Sequence, residues 1–137
     1  MRAVLDANVV ISALISPRGA PAAVLRAWRD GAFELVASEK LLAELQRALR
    51  YPKLSAYVSS EDANEVIEWL RRWATIASDR AEQPTVRSSD PGDDYLLSLA
   101  TAERAALVSG DGHLLSLSGA LPIFSPARFL AFLEESR

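Results

Sequence analysis

Short, largely apolar runs that end in or before a polar or acidic residue constrain this chain more than any other feature. They are Arg2 to Asp6 with Val4 and Leu5 inside it, Phe33 to Ala37, Ala106 to Ser109, and Pro122 to Phe124. None alternates in polarity, so each reads as a strand buried on both faces. The stretches between them carry apolar residues at helical spacing. Strands that alternate with helices and are covered on both sides form a parallel sheet. The expected fold is therefore a three-layer α/β/α sandwich around a central parallel sheet of about four to five strands.

The helices are read from their punctuation. One runs from the first strand through Leu14 and breaks at Ser16, Pro17 and Gly19. A second runs from Pro21 to about Asp30, before Gly31. Ser38 is a candidate N-cap for a helix carrying Leu41, Leu42, Leu45 and Leu49, which Pro52 ends. Glu61 to Trp73 forms the next, with Ser60 as its expected cap and Val66, Ile67, Leu70 and Trp73 on one face. From Thr75 to Arg87 the pattern weakens, with a short strand possible around Ile76. Asp90-Pro91-Gly92 is a turn, and a helix is expected from Asp93 to about Arg104. Leu114 to Leu117 is a candidate short helix, and Ser125-Pro126 starts a final one that reaches about Glu134.

With 137 residues, 50% of them hydrophobic, and no linker or repeat, residues 1–137 are expected to form a single domain. The absence of cysteine excludes disulfides, a thiolate zinc site and a cysteine nucleophile, and His113 is the only histidine. The apolar start is interrupted by Asp6, Asn8 and Ser12, which is too polar and too short for a membrane span. The chain reads as a soluble cytoplasmic protein. A net charge of −3 argues against a broad basic face, but setting four clustered acids aside turns it into +1, which still permits an anionic substrate.

Ligands of open α/β sheets bind outside the carboxyl ends of the strands. Asp6 ends the first strand, Asp111 follows the strand at Leu107-Val108, Asp93 opens a helix that precedes a strand, and Glu44 borders the buried stripe of the helix after Ala37. Four carboxylates gathered at one rim repel one another by roughly 1 kcal/mol per pair at 4 Å in water, and by about 4 at an effective dielectric of 20. A divalent cation removes that penalty, and oxygen donors without His or Cys select Mg²⁺ or Mn²⁺, one or two ions, over Zn²⁺. That chemistry suits a metal-dependent nuclease. Each acid also has an ordinary role. Gly110-Asp111-Gly112 is a common turn, Asp93 suits a helix N-terminus with Asp94 beside it, and Glu44 suits a solvated helix. Only their combination points to chemistry.

The segments Val4-Leu5-Asp6-Ala7-Asn8-Val9-Val10, Leu42-Ala43-Glu44-Leu45, Asp90-Pro91-Gly92-Asp93-Asp94 and Leu107-Val108-Ser109-Gly110-Asp111 resemble PIN-domain proteins in order and spacing across nearly the whole chain. Many relatives are ribonuclease toxins of toxin–antitoxin pairs, of the virulence-associated protein C type. The resemblance implies a Mg²⁺- or Mn²⁺-dependent endoribonuclease with Asp6, Glu44, Asp93 and Asp111 as catalytic and metal-holding acids. Asp93 is preferred to Asp94 because its interval to Asp111 matches the family and Leu96 and Leu97 then follow it in the apolar places. Asn8 and Ser109 match the polar residues that orient the first acid and precede the fourth. His113 departs from the family pattern and reads as a turn or short-helix residue.

The expected reaction is attack of metal-activated water on phosphorus, in line with a departing 3′-oxygen, leaving 5′-phosphate and 3′-hydroxyl ends. Glu44 would complete the site or orient that water. Arg47, Arg50 and Lys53, with Arg71 and Arg72, are candidates to grip RNA. Trp69, Trp73, Tyr51 and Tyr57 exceed what a small core needs and point to a homodimer or to a cognate antitoxin as partner. Two other functions are open. One is a PIN fold that only binds RNA or protein. The other is a phosphoryl-transfer protein with Asp6 as nucleophile, which the Asp6-Ala7-Asn8 sequence and the presence of only Lys40 and Lys53 as lysines disfavour.

Overall fold

The computed structural model describes residues 1–79 and 86–136. Strands β1 (Arg2–Leu5), β2 (Glu34–Ser38), β3 (Thr75–Ala77), β4 (Ala106–Val108) and β5 (Ile123–Phe124) form one sheet in the order β3-β2-β1-β4-β5, with every pairing parallel. The apolar runs account for this. Ala3, Val4 and Leu5 in β1 and all of β4 are buried, as central strands covered on both faces must be. The thin stretch between Ile76 and Arg87 falls in part on residues 80–85, outside the described residues.

Helices α1 (Ala7–Ile15), α2 (Ala20–Arg29), α3 (Glu39–Leu49), α4 (Ser60–Trp73), α5 (Asp94–Ala102), α6 (Gly112–Leu115) and α7 (Pro126–Glu135) flank the sheet, completing the α/β/α sandwich. Helix α1 packs on α2 and α3, and α3 on α4, while α5 covers β1 and β4 and α7 packs on α2 and β5. Gly31, at φ +85, turns the chain out of α2 toward β2, a conformation that favours glycine. Phe129 of α7 is fully buried, edge-on to Phe33 at 5.1 Å between ring centroids. Among the described residues no single helix is long and apolar enough to cross a membrane.

Local chemistry moves several boundaries. Helix α4 begins one residue earlier than expected, because it is Ser59 rather than Ser60 whose hydroxyl accepts from a free N–H, that of Asp62, at 3.0 Å. Pro91–Asp93 form a 3₁₀ turn, so α5 starts at Asp94 with Asp93 as its cap residue. The short helix α6 starts at Gly112 instead of Leu114, because the Asp111 carboxylate accepts from His113 N at 2.8 Å and so starts the turn earlier.

Candidate active site

The chain leaves β1 toward β2 on one side, while β4 lies on the other side of β1. Connections that part in opposite directions open a crevice at the carboxyl ends of the two central strands. Asp6 continues β1 there, its N–H bonded to Val108 O of β4 at 3.0 Å. Asp6, Asp93 and Asp111 are the cap residues of α1, α5 and α6. Helix N-termini therefore meet at this edge, where their partial positive charge favours carboxylates. Helix α3 leaves β2 at the same edge and brings Glu44 on its second turn.

Asp6 is buried, 7% exposed, with no arginine or lysine paired to it among the described residues. Ser109 Oγ donates to Asp6 Oδ2 at 2.8 Å and accepts from Asp111 N at 3.0 Å, so one buried hydroxyl ties the first acid to the turn bearing the fourth. Asn8 reaches Asp6 only through its backbone N–H, 3.5 Å from Oδ1. The orienting contact expected of its side-chain amide is thus made by the main chain, as the first turn of α1 requires. Burial pushes the Asp6 carboxyl above its usual range; the Ser109 and Asn8 hydrogen bonds pull it down, and the charges of Asp111 and Glu44 push it up again.

Asp93 is the most perturbed acid, raised from its ordinary 3.8 to about 7. Burial contributes most, followed by a hydrogen bond with Asp111, which requires a proton held between two carboxyls, and by the charges of Asp6, Asp111 and Asp90. Without that proton both groups only accept, and Asp93 Oδ2 is left buried with no donor. Asp94 is used differently. It accepts from Arg87 Nε at 3.1 Å and from Ser88 N at 2.9 Å, so it anchors the loop leading into the site and is neutralised there. Glu44 accepts from Tyr95 Oη at 2.6 Å, and burial together with that bond raises the tyrosine further above its ordinary range.

The four acids act on one another or on the same tyrosine, from four distant parts of the chain. They do not form a closed cage. Among the described residues no three Asp, Glu or His side chains stand close enough to enclose an ion as they are placed. Like charges spread apart when only protein atoms satisfy them, and here Asp6 leans on Ser109 and Glu44 on Tyr95. The donors still fit a hard divalent cation. They are all carboxylate oxygens, and one of them is buried and unsatisfied once ionised. Sequence reasoning missed Tyr95, whose hydroxyl lies one helical position past Asp94, and the clasp between Ser89 Oγ and His113 Nδ1 at 2.6 Å.

The basic residues separate. Arg71 pairs with Glu39, and Arg72 lies over the exposed ring of Trp73 at 5.4 Å. Arg50 lines a cleft of about 400 Å³ between α3 and α4 with Gln46, Ser59 and Asn64, and Glu44 is not among its walls. Arg47 and Lys53 are exposed. Trp69 is half-buried against Trp28, 4.6 Å between ring centroids, so it closes the core rather than exceeding it. Tyr51, Tyr57 and Trp73 are the exposed members of that aromatic group, each at least 60% accessible.

A parallel α/β/α sheet with an acid-lined crevice at its switch point has the architecture of a PIN domain, and the PIN-domain family profile matches residues 2–113. The chain belongs to this family, whose members are in general nucleases. It is 28% identical over 120 residues to an uncharacterized protein of Methanocaldococcus jannaschii, covering 85% of this chain and 75% of that protein. Its fold is similar to a chain in the crystal structure of VapBC2 from Rickettsia felis bound to a DNA fragment from their promoter. That match has a TM-score of 0.60 at 19% identity and covers 91% of this chain and 98% of the other.

Proposed function

We propose that this protein is a Mg²⁺- or Mn²⁺-dependent endoribonuclease that serves as the toxin of a toxin–antitoxin pair. The observation that carries the reading is the convergence of Asp6, Glu44, Asp93 and Asp111 on one crevice, with Asp93 raised to about 7 by burial first and by its acidic neighbours next. Carboxyls gathered at such a cost in repulsion, and paired to no lysine or arginine among the described residues, suit a site meant to receive a cation.

Asp6, Asp93 and Asp111 would hold the ion, with Glu44 completing the site or orienting the attacking water; the ion would neutralise phosphate charge and make that water acidic. Ser109 fixes the Asp6 carboxylate by donating to Oδ2, and Tyr95 holds Oε2 of Glu44. Asp94, spent on Arg87 and Ser88, keeps the loop before α5 in place so that Asp93 faces the crevice. RNA as substrate and the toxin role rest on the family. The likeness in fold to a chain of VapBC2 supports a partner protein of the same kind. Exposed Tyr51, Tyr57 and Trp73 support a surface for that partner or for a homodimer.

Purified protein incubated with labelled single-stranded RNA tests the reading. Cleavage in Mn²⁺, none in EDTA, and none from Asp6→Asn in Mn²⁺ is the expected pattern. Binding that needs no metal, without cleavage and unchanged in Asp6→Asn, would show a PIN fold that only binds.

A further inference from the structure

A crevice lined by carboxylates repels the phosphates it is meant to cleave, so a substrate needs a cation beside it that the acids have not already claimed. Lys40 stands where such a cation is needed. It lies one turn before Glu44 on α3, and its backbone N–H donates to Asp79 Oδ2 at 3.0 Å, which fixes the start of the helix. Its Nζ sits 4.5 Å from the centroid of the Tyr95 ring, and the hydroxyl of the same ring donates to Glu44 Oε2.

The ammonium makes no ion pair among the described residues, although Glu44, Asp6 and Asp93 all act on the tyrosine beneath it. Three arginines are committed elsewhere. Arg87 is paired with Asp94, Arg71 with Glu39, and Arg2 with Glu34 and Glu103. The face of an aromatic ring attracts an ammonium without consuming its hydrogen-bond donors and narrows its rotamers. A lysine held this way keeps its three N–H groups for an anion and loses little freedom on binding one.

We propose that Lys40, held over the Tyr95 ring, grips a non-bridging oxygen of an RNA phosphate at the edge of the acid crevice and so offsets the repulsion of the substrate. This rests on the nuclease reading above. It assigns substrate grip to a residue apart from Arg47, Arg50 and Lys53, with Tyr95 serving two neighbours, its ring Lys40 and its hydroxyl Glu44.

The test is steady-state cleavage of a labelled single-stranded RNA in Mn²⁺ by the full chain and by Lys40→Ala, Lys40→Arg and Tyr95→Phe, at several salt concentrations. Lys40 is exposed on a helix and alanine is a good helix former, so the fold is kept. Lys40→Ala should raise KM about tenfold, the loss of one charge-assisted hydrogen bond, with kcat within about twofold. The slope of log(1/KM) against log salt should flatten by about 0.7, the release of one counterion from a single strand. Lys40→Arg should keep the slope. Tyr95→Phe keeps the ring and loses the Glu44 contact, so it should lower kcat and leave the slope alone. Wild-type cleavage with KM and slope unchanged in Lys40→Ala overturns the proposal. Should the wild type cleave no RNA, the nuclease reading fails, and the same salt series read as RNA binding decides the role of Lys40. A flatter slope in Lys40→Ala then supports the contact, and an equal affinity and slope overturn it.

Discussion

Replacing Asp93 by Asn should make the metal-free protein more stable at neutral pH, even though it removes a proposed functional acid. In the folded chain burial, Asp111, Asp6 and Asp90 raise this carboxyl from 3.8 to about 7, so ionising it above pH 7 works against the fold. The sign follows from proton binding. Between those two values the folded state holds the proton more tightly than the unfolded chain does, and stability therefore falls as pH rises through that interval. At about 1.4 kcal/mol per pH unit the gap sets a ceiling near 4 kcal/mol. Asp93 is only half-buried, and solvent screening reduces that ceiling to about 1.5 kcal/mol. Asp93 caps α5 without a side-chain hydrogen bond, so Asn forfeits only about 0.5 kcal/mol of helix-dipole attraction. The remaining gain of about 1 kcal/mol corresponds to a melting temperature about 3–4 °C higher at pH 8 for a chain of this size. Melting curves of both proteins between pH 3.5 and 8, in EDTA and in millimolar Mg²⁺, read this directly. The difference should shrink steadily as pH falls below 7 and vanish only below 3.8, where Asp93 holds its proton in the folded and the unfolded chain alike. Mg²⁺ should raise the wild type more than the variant. A difference that does not vary with pH, or an Asp93→Asn protein less stable than wild type at pH 8, would refute the reasoning.

Further outcomes follow from the same contacts. Ser109→Ala strips the donor from buried Asp6 Oδ2 and should cost about 1–3 kcal/mol in denaturant unfolding at pH 7, with the loss shrinking at low pH where Asp6 is protonated. Asp94→Ala leaves Arg87 and Ser88 N without their acceptor and should destabilise by about 2 kcal/mol, with cleavage reduced in proportion to loop order, as limited proteolysis would reveal. Cleaved RNA should carry 5′-phosphate and 3′-hydroxyl ends and so accept religation; cyclic phosphate ends would mean that the 2′-hydroxyl is the nucleophile. Lowering pH from 8 to 6 should weaken Mn²⁺ binding measured by calorimetry, since Asp93 must lose its proton to accept a cation.

Much of this is legible in the sequence because it is local. The β1 and β4 runs and the Ser38 and Ser125 caps depend on residues within a few positions of one another. Asp6 and Asp111 could be placed because a strand end fixes which edge of the sheet an acid occupies. The remainder depends on contacts across the fold. The family's interval to Asp111 favours Asp93 over Asp94, but that Arg87 and Ser88 occupy Asp94 depends on the loop's path in space and is not legible in the spacing. The Tyr95 bond to Glu44 spans 51 positions, and no local pattern announces it. Trp69 looked surplus because its partner, Trp28, lies on another helix. Nothing near Lys40 in the sequence marks it as special, because the ring it lies over, Tyr95, belongs to a distant helix.

The central claim is that Asp6, Glu44, Asp93 and Asp111 share a divalent cation. Crystals grown in Mn²⁺ and measured at the manganese absorption edge would test it most directly. The account predicts an anomalous peak in the crevice between β1 and β4, within about 2.0–2.6 Å of oxygens from at least two of these carboxylates, as hard cations require. A peak elsewhere, or none at saturating Mn²⁺ with Asp93 still bonded to Asp111, would contradict it.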